Sequence, residues 1–315
     1  MVAFVFPGQG SQYVGMGKAL ADRFPVCRQA FEEADDALGR KISHLCFDGP
    51  AEELQLTENT QPAILTMSVA VCRLLRSRGY EAQYMAGHSL GEYSAHVAAG
   101  TLGFADALRL VSRRGRYMQE AVPVGQGAMA VVIGLNQEGI VQACAEVAGE
   151  QVVSAANLNT PNQIAISGHA QAVERAGVKA KELGAKRVIP LSVSAPFHCA
   201  LMKPAEVRLE PELRGLVVRD PSVPVVANID ATPKQTGKES IEALISQVSL
   251  PVLWEASVRT LVDKGVSTFL EVGPGRVLTG LIKKTDRSVR VLNVEDSDSL
   301  GSFEAAWESF SNQSE

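Results

Sequence analysis

Ser89 stands between two glycines in Ala86-Gly87-His88-Ser89-Leu90-Gly91-Glu92-Tyr93, a G-x-S-x-G run that follows a strand-like segment and opens a helix-like one. A serine on such a turn is held in a strained backbone with its hydroxyl exposed, and the glycines remove Cβ atoms where strand and helix converge. The chemistry would be nucleophilic. The hydroxyl attacks an acyl carbon, and unpaired N–H groups at the helix entry stabilise the oxyanion that forms. A turn with no chemistry can carry the same letters, so the assignment depends on partners for Ser89.

A serine hydroxyl needs a base, and imidazole, with an ordinary pKa near 6.5, is the usual one. The chain has five histidines. His44 and His169 lie in or beside polar loops and read as surface residues; His96 is one face round on the elbow helix. His88 adjoins Ser89, and an adjacent side chain projects away from a sharply turned serine. His198, in the loop Ala195-Pro196-Phe197-His198, is the better candidate. Its Nδ1 then needs an acceptor, and no Asp or Glu stands out in a strand-end loop between the elbow and His198, where the α/β-hydrolase order would put it. A backbone carbonyl can serve instead. Arg109, Arg113, Arg114 and Arg116 share one helical segment, where a solvated basic face accounts for most of them.

These residues must be positioned by the elements around them. Residues 2–6 are apolar and β-branched or aromatic, a buried strand that ends at Pro7-Gly8-Gln9-Gly10. Helical patterns cover 17–38, 59–78, 90–99 and 105–120, the second of them apolar around most of its circumference and therefore buried. A strand over 83–86 leads into the elbow. Residues 125–194 have their own order: strands at 127–135, 152–158, 163–168 and 186–193, with helices at 137–147 and 170–183. That βαββαβ order is ferredoxin-like, a unit able to fold around its own small core inside another domain. After Ser194, strands over 223–229, 267–272 and 289–294 alternate with helices over 199–213, 238–248, 254–264, 277–284 and 300–310. The expected fold is α/β. Residues 1–124 and 195–315 form a large domain with a mostly parallel sheet and an α/β-hydrolase-like core, and 125–194 form a ferredoxin-like insert.

Composition excludes other classes. At 315 residues, 46% hydrophobic and 21% charged, the chain can bury a substantial core, and its net charge of −5 gives no basis for nucleic-acid binding. Its five cysteines are widely spread with no C-x-x-C pair, so reduced thiols are expected rather than disulfides or a zinc site. The first residues are strand-like and lack a basic leader, and no apolar run reaches about 18 residues, so a soluble cytoplasmic protein is expected, with no membrane contact. Gly8-Gln9-Gly10 and Gly273-Pro274-Gly275 do not complete G-x-G-x-x-G. No metal, nucleotide, flavin or other cofactor is expected; a monomer is expected, although the absence of heptads says only that no coiled coil dimerises the chain.

Several separated motifs, in order, resemble one family. They are Phe6-Pro7-Gly8-Gln9-Gly10-Ser11-Gln12, Gly87-His88-Ser89-Leu90-Gly91-Glu92-Tyr93, Arg114-Gly115 followed by Met118-Gln119, Pro196-Phe197-His198-Cys199, Gln247 before Pro251-Val252, and Glu271-Val272-Gly273-Pro274-Gly275. Together they resemble the bacterial malonyl-CoA:acyl-carrier-protein transacylases almost end to end, the insert included. The resemblance implies that Ser89 is acylated by malonyl-CoA and that His198 is the base of a Ser-His dyad. It further implies that a main-chain carbonyl near Gln247 holds the histidine, that Gln9 and Leu90 offer N–H groups to the oxyanion, and that Arg114 pairs with the malonyl carboxylate. Phe197 would limit room for an α-methyl group, although a core aromatic is an equal reading of it. The implied partners are malonyl-CoA and an acidic, phosphopantetheinylated acyl carrier protein. The alternatives are an acyltransferase of a polyketide pathway, a serine thioesterase or hydrolase, and a catalytically silent docking protein.

Overall fold

The computed structural model describes residues 1–193 and 195–311. Ser194, at the expected edge of the insert, and residues 312–315 lie outside the described residues.

The strands are β1 Val2–Phe6, β2 Tyr84–Gly87, β3 Gly127–Ile133, β4 Val153–Thr160, β5 Gln163–His169, β6 Arg187–Pro190, β7 Val225–Val226, β8 Pro233–Lys234, β9 Thr268–Val272 and β10 Arg290–Val294. They form two sheets. The larger has the order β10-β9-β1-β2-β7-β8. All its pairings are parallel except that of the short edge strand β8 with β7. β1 sits at its centre because it is apolar on both faces: Phe4 and Phe6 enter one core, Ala3 and Val5 the other, and all four are fully buried. The helix Thr57–Ser77 is buried along most of its length, as its all-round apolar pattern requires.

The smaller sheet is antiparallel, with the order β4-β5-β3-β6. Counted within the unit, that is the 2-3-1-4 order of a ferredoxin-like sheet. The helices Gln137–Ala148 and Ala170–Glu182 cover one face around their own apolar cluster, with Val132, Ile140, Ile164 and Val173 among its members. The other face leans on the large sheet's core through Met129, Ala156 and Ala165. β4 also reaches across: the Leu158 N–H donates to Val252 O and the Val252 N–H to Ala156 O.

The structure corrects several element boundaries. The segment expected as one helix over 17–38 is two, Lys18–Arg23 and Pro25–Leu38, because Phe24, ahead of a proline, is extended (φ −120°, ψ 115°). The strand expected over 223–229 shrinks to Val225–Val226, since Asn228 leaves the ladder to bond the elbow. The strand expected over 186–193 keeps only Arg187–Pro190, ending at a proline that has no N–H to donate. The start of the helix expected over 199–213 is a 3₁₀ turn, Ala200–Met202, before Lys203–Arg214. Two short helices, Ile42–Asp48 and Ala51–Leu54, carry too little periodicity to be anticipated.

Candidate active site

β1 and β2 run parallel with Phe6 opposite Gly87, so the loops at their C-terminal ends lie side by side. The His88 N–H donates to Phe6 O at 3.0 Å, which docks the elbow against the Pro7-Gly8-Gln9 loop. The glycines are required by contact. A Cβ on Gly87 would lie 1.9 Å from the Gly91 carbonyl carbon, and one on Gly91 would lie 2.0 Å from Phe6 O. Ser89 has φ 52° and ψ −109°, the strained conformation expected of an elbow, and precedes the helix Leu90–Ala98.

The Ser89 Oγ lies 2.7 Å from Nε2 of His198. The Nδ1 of the same ring is 3.0 Å from Gln247 O and 3.2 Å from Leu250 O. With two carbonyls as its hydrogen-bond partners, Nδ1 carries the proton, and Nε2 is left as the acceptor facing Oγ. The acid missing from the sequence is therefore replaced by main-chain carbonyls. Burial, with the positive charge of Arg114 and the neighbouring His88 in support, pushes the His198 pKa down to about 3, against the smaller opposing pull of the two carbonyls. The imidazole is neutral at physiological pH, the state a base needs. His198 itself has φ 57°, a second strained residue at the site.

Arg114 is 2% exposed. Its Nη2 donates to Ser89 Oγ at 3.2 Å and to Gln247 Oε1 at 2.9 Å, and its Nη1 donates to Gln61 Oε1 at 2.8 Å. The guanidinium also lies 5.2 Å from the Tyr93 ring centroid. Unlike Arg113 and Arg116 on the same helix, which pair with Glu212 and Glu58, it turns inward and is held by neutral amides. A buried cation with neutral partners gives the pocket a positive potential suited to a carboxylate.

A cavity of about 110 Å³ opens onto Ser89; Gln9, His88, Met129, Phe197 and His198 are among its lining residues. Phe197 is 9% exposed; it lines this cavity and packs on the main core as well. Leu90 is the first residue of its helix, where an N–H has no intrahelical acceptor. His88 points away from Oγ, its Nε2 meeting Asn159 Oδ1 on β4 at 2.8 Å. The other histidines do not approach the serine. His44 is exposed beside Asp48, and His96 is fully buried with a pKa pushed down to about 3 by that burial. His169, expected at the surface, is half-buried and accepts the Val152 N–H at 2.9 Å, because it ends a paired strand rather than a loop.

Three supporting residues escaped the sequence reading. Asn228, fully buried after β7, accepts the Ser89 N–H through Oδ1 at 2.7 Å and donates Nδ2 to Gly87 O at 2.7 Å. Glu92, also fully buried, receives the Asn228 N–H at 2.9 Å and Gln247 Nε2 at 2.8 Å on one oxygen. Gln61 supplies an acceptor to Arg114 from the buried helix Thr57–Ser77. Glu92 alone had a visible signal, but an acid in a first helical turn ordinarily reads as a partner of the helix dipole.

A model of the acyl transferase domain family matches residues 3–313. The chain belongs to the acyl transferase family. Within it, the similarity is to the malonyl CoA-acyl carrier protein transacylases. The one from Bacillus subtilis (strain 168) is 49% identical over 300 residues, covering 95% of each chain. The crystal structure of an acyl carrier protein S-malonyltransferase from Vibrio cholerae superposes with a TM-score of 0.94 at 47% identity, covering 96% of this chain and 99% of that one. A malonyl-transacylase solved with a holo type II polyketide acyl carrier protein has a TM-score of 0.93 at 50% identity, covering 95% of this chain and 97% of that one. The two-sheet acyltransferase architecture is thus shared over nearly all of the chain. No helix among the described residues is long and apolar enough to cross a membrane.

Proposed function

We infer that this chain is a malonyl-CoA:acyl-carrier-protein S-malonyltransferase, acting through a malonyl-serine ester. The observation that carries the reading is that one hydroxyl, Ser89 Oγ, is held both by a neutral imidazole at 2.7 Å and by a buried guanidinium at 3.2 Å. The first is what a nucleophile needs; the second is what an acyl group ending in a carboxylate needs.

In the first half-reaction His198 Nε2 takes the Ser89 proton as Oγ attacks the malonyl thioester carbon. The N–H groups of Gln9 and Leu90 receive the oxyanion. As it collapses, the C–S bond breaks and His198 returns the proton to the coenzyme A thiolate, leaving a malonyl ester on Ser89. The phosphopantetheine thiol of the carrier then loses its proton to His198, attacks the ester and releases Ser89. Gln247 serves twice, its carbonyl on His198 and its side chain on Arg114. Arg114 pairs with the malonyl carboxylate, and Phe197 closes the space beside it. Fatty-acid elongation is the pathway supplied, and five free cysteines suit a reducing, cytoplasmic setting.

The same reading takes 1–124 and 195–315 as one unit and 125–194 as an insert, supported by the separate apolar cluster beneath the insert's helices. The polyketide alternative is supported by the relative bound to a polyketide carrier. Comparing transfer rates to a fatty-acid carrier and to a polyketide carrier separates the two.

The testing variant is Arg114→Ala, assayed with malonyl-CoA and acetyl-CoA. Loss of a charge-assisted, two-pronged contact should lower malonyl kcat/KM by about 100-fold, since hydrogen bonds to charged groups contribute about 1.5–3 kcal/mol. Acetyl transfer should change little or rise. A surviving malonyl preference would remove the clamp, and rapid coenzyme A release without carrier would favour a hydrolase.

A further inference from the structure

We propose that Glu92 is a positioning residue for acyl selection: its carboxyl oxygen fixes which way the Gln247 amide points, and through that amide it aims Arg114 at Ser89. This rests on the reading of Arg114 as the carboxylate clamp.

The geometry is a chain of three buried groups. Arg114 Nη2 donates to Gln247 Oε1 at 2.9 Å, and Gln247 Nε2 donates to Glu92 Oε2 at 2.8 Å. An amide has one accepting and one donating end, so its orientation decides whether Arg114 meets an oxygen or a hydrogen-bearing nitrogen. Flipped, Gln247 would turn two N–H hydrogens toward a guanidinium that can only donate, and the clamp would be pushed off its aim. Glu92 prevents the flip because Oε2 faces two N–H donors, from Gln247 and Asn228, and accepts from both whether the carboxyl is ionised or carries its proton on Oε1. Ser89 O, at 2.9 Å from Gln247 Nε2, favours the same orientation.

The same oxygen steadies the elbow. It takes the Asn228 main-chain N–H at 2.9 Å, and the Asn228 side chain holds Ser89 N and Gly87 O, each at 2.7 Å. Glu92, Asn228 and Gln247 are all fully buried, so these bonds are shielded from bulk solvent. The placement also keeps this carboxyl one group away from Arg114. A carboxylate paired with the guanidinium would occupy the N–H groups meant for the substrate, whereas an interposed amide leaves the cation available. Glu92 does not touch the reacting atoms.

Two mild substitutions separate reach from the carboxyl group itself. Glu92→Gln keeps an acceptor oxygen at the same reach and removes the ionisable carboxyl; Glu92→Asp keeps the carboxyl and withdraws the oxygen by one methylene. The readout is the ratio of kcat/KM for malonyl-CoA to that for acetyl-CoA. This ratio is unaffected by the fraction of enzyme that folds, so a merely destabilised variant leaves it in place. Glu92→Gln is expected to hold the ratio within about threefold of the unaltered enzyme, and Glu92→Asp to lower it by tenfold or more. Any result in which Gln does not preserve more of the preference than Asp overturns the proposal, including an unchanged ratio in both. Arg114→Ala run alongside identifies which reading fails. If it keeps the malonyl preference, the clamp itself is wrong; if it loses the preference while Gln and Asp behave alike, only the role of Glu92 is wrong.

Discussion

At Ser89 the backbone is held at φ 52°, and at His198 at φ 57°, both in the region that favours glycine. Two strained residues facing each other at 2.7 Å mean that the surrounding contacts, not local preference, set the geometry. The chemistry at this scale follows from a histidine whose pKa is pushed down to about 3. The rate of Ser89 acylation should therefore stay nearly flat from pH 8 down to pH 5, where an ordinary histidine would already be mostly protonated. Stopped-flow release of coenzyme A across that range measures it, and a half-rate point between pH 6 and 7 would contradict the assignment. Phe197 sets a second expectation. Malonyl-CoA should be preferred over methylmalonyl-CoA, and Phe197→Ser should narrow the gap by about tenfold, in line with the ~1–3 kcal/mol carried by a methyl-sized volume in a pocket. Competition between the two thioesters reads this directly.

Among the elements, the strand–turn–helix of the elbow has the least freedom. Gly87 and Gly91 stand where β2 and the following helix touch backbone to backbone, and a Cβ at either enters atoms about 2 Å away. Those neighbours are main-chain atoms of the sheet and helix, which cannot rotate aside. Gly87→Ala should cost about 3 kcal/mol or more, the upper range for overpacking, and abolish transfer by displacing Ser89. Urea denaturation checks the first part and a malonyl-serine adduct, sought by mass spectrometry, the second. The helix Gly237–Gln247 matters for a different reason. Its last residue presents a carbonyl to His198 and a side chain to Arg114, so a helix terminus, whose carbonyls lack intrahelical donors, supplies an acceptor to Nδ1.

At the scale of the whole molecule, the buried titratable groups make stability depend on pH with opposing signs. His96 and His198 both have folded pKa values near 3, below their unfolded value near 6.5. The unfolded chain then binds more protons between those limits, and stability falls as pH drops from 6.5 toward 3. Glu92, raised to about 7 by burial, acts the other way: its folded form keeps a proton that the unfolded form has lost, so its contribution declines as pH rises from about 4.5 to 7. Calorimetry should show the melting temperature falling on acidification below pH 6.5. Glu92→Gln should make that fall steeper between pH 7 and 4.5 by removing the opposing term. The two sheets are joined at the site as well. β4 bonds to Val252, two residues beyond the Leu250 carbonyl on His198, so the smaller sheet and His198 share one support.

What the sequence determined by itself was whatever depends on local rules. Strands apolar on both faces, a G-x-S-x-G turn and a βαββαβ order have physical signatures within a few residues, and they located both sheets and Ser89. Family motifs added His198, Arg114 and Gln247 at their positions. The tertiary structure alone decided how these residues meet. Ser89 and His198 are 109 positions apart, and Asn228 lies 139 from the serine it steadies. No pattern along the chain says that Arg114 alone among the four arginines of its helix turns fully inward, because its partners Gln61 and Gln247 come from two other helices. Nor can a sequence show that Glu92, which reads as an ordinary first-turn acid, is fully buried beneath the elbow. Burial is a property of everything packed around a residue, and hydrogen-bond direction is a property of the pair, so both appear only when the chain has closed on itself.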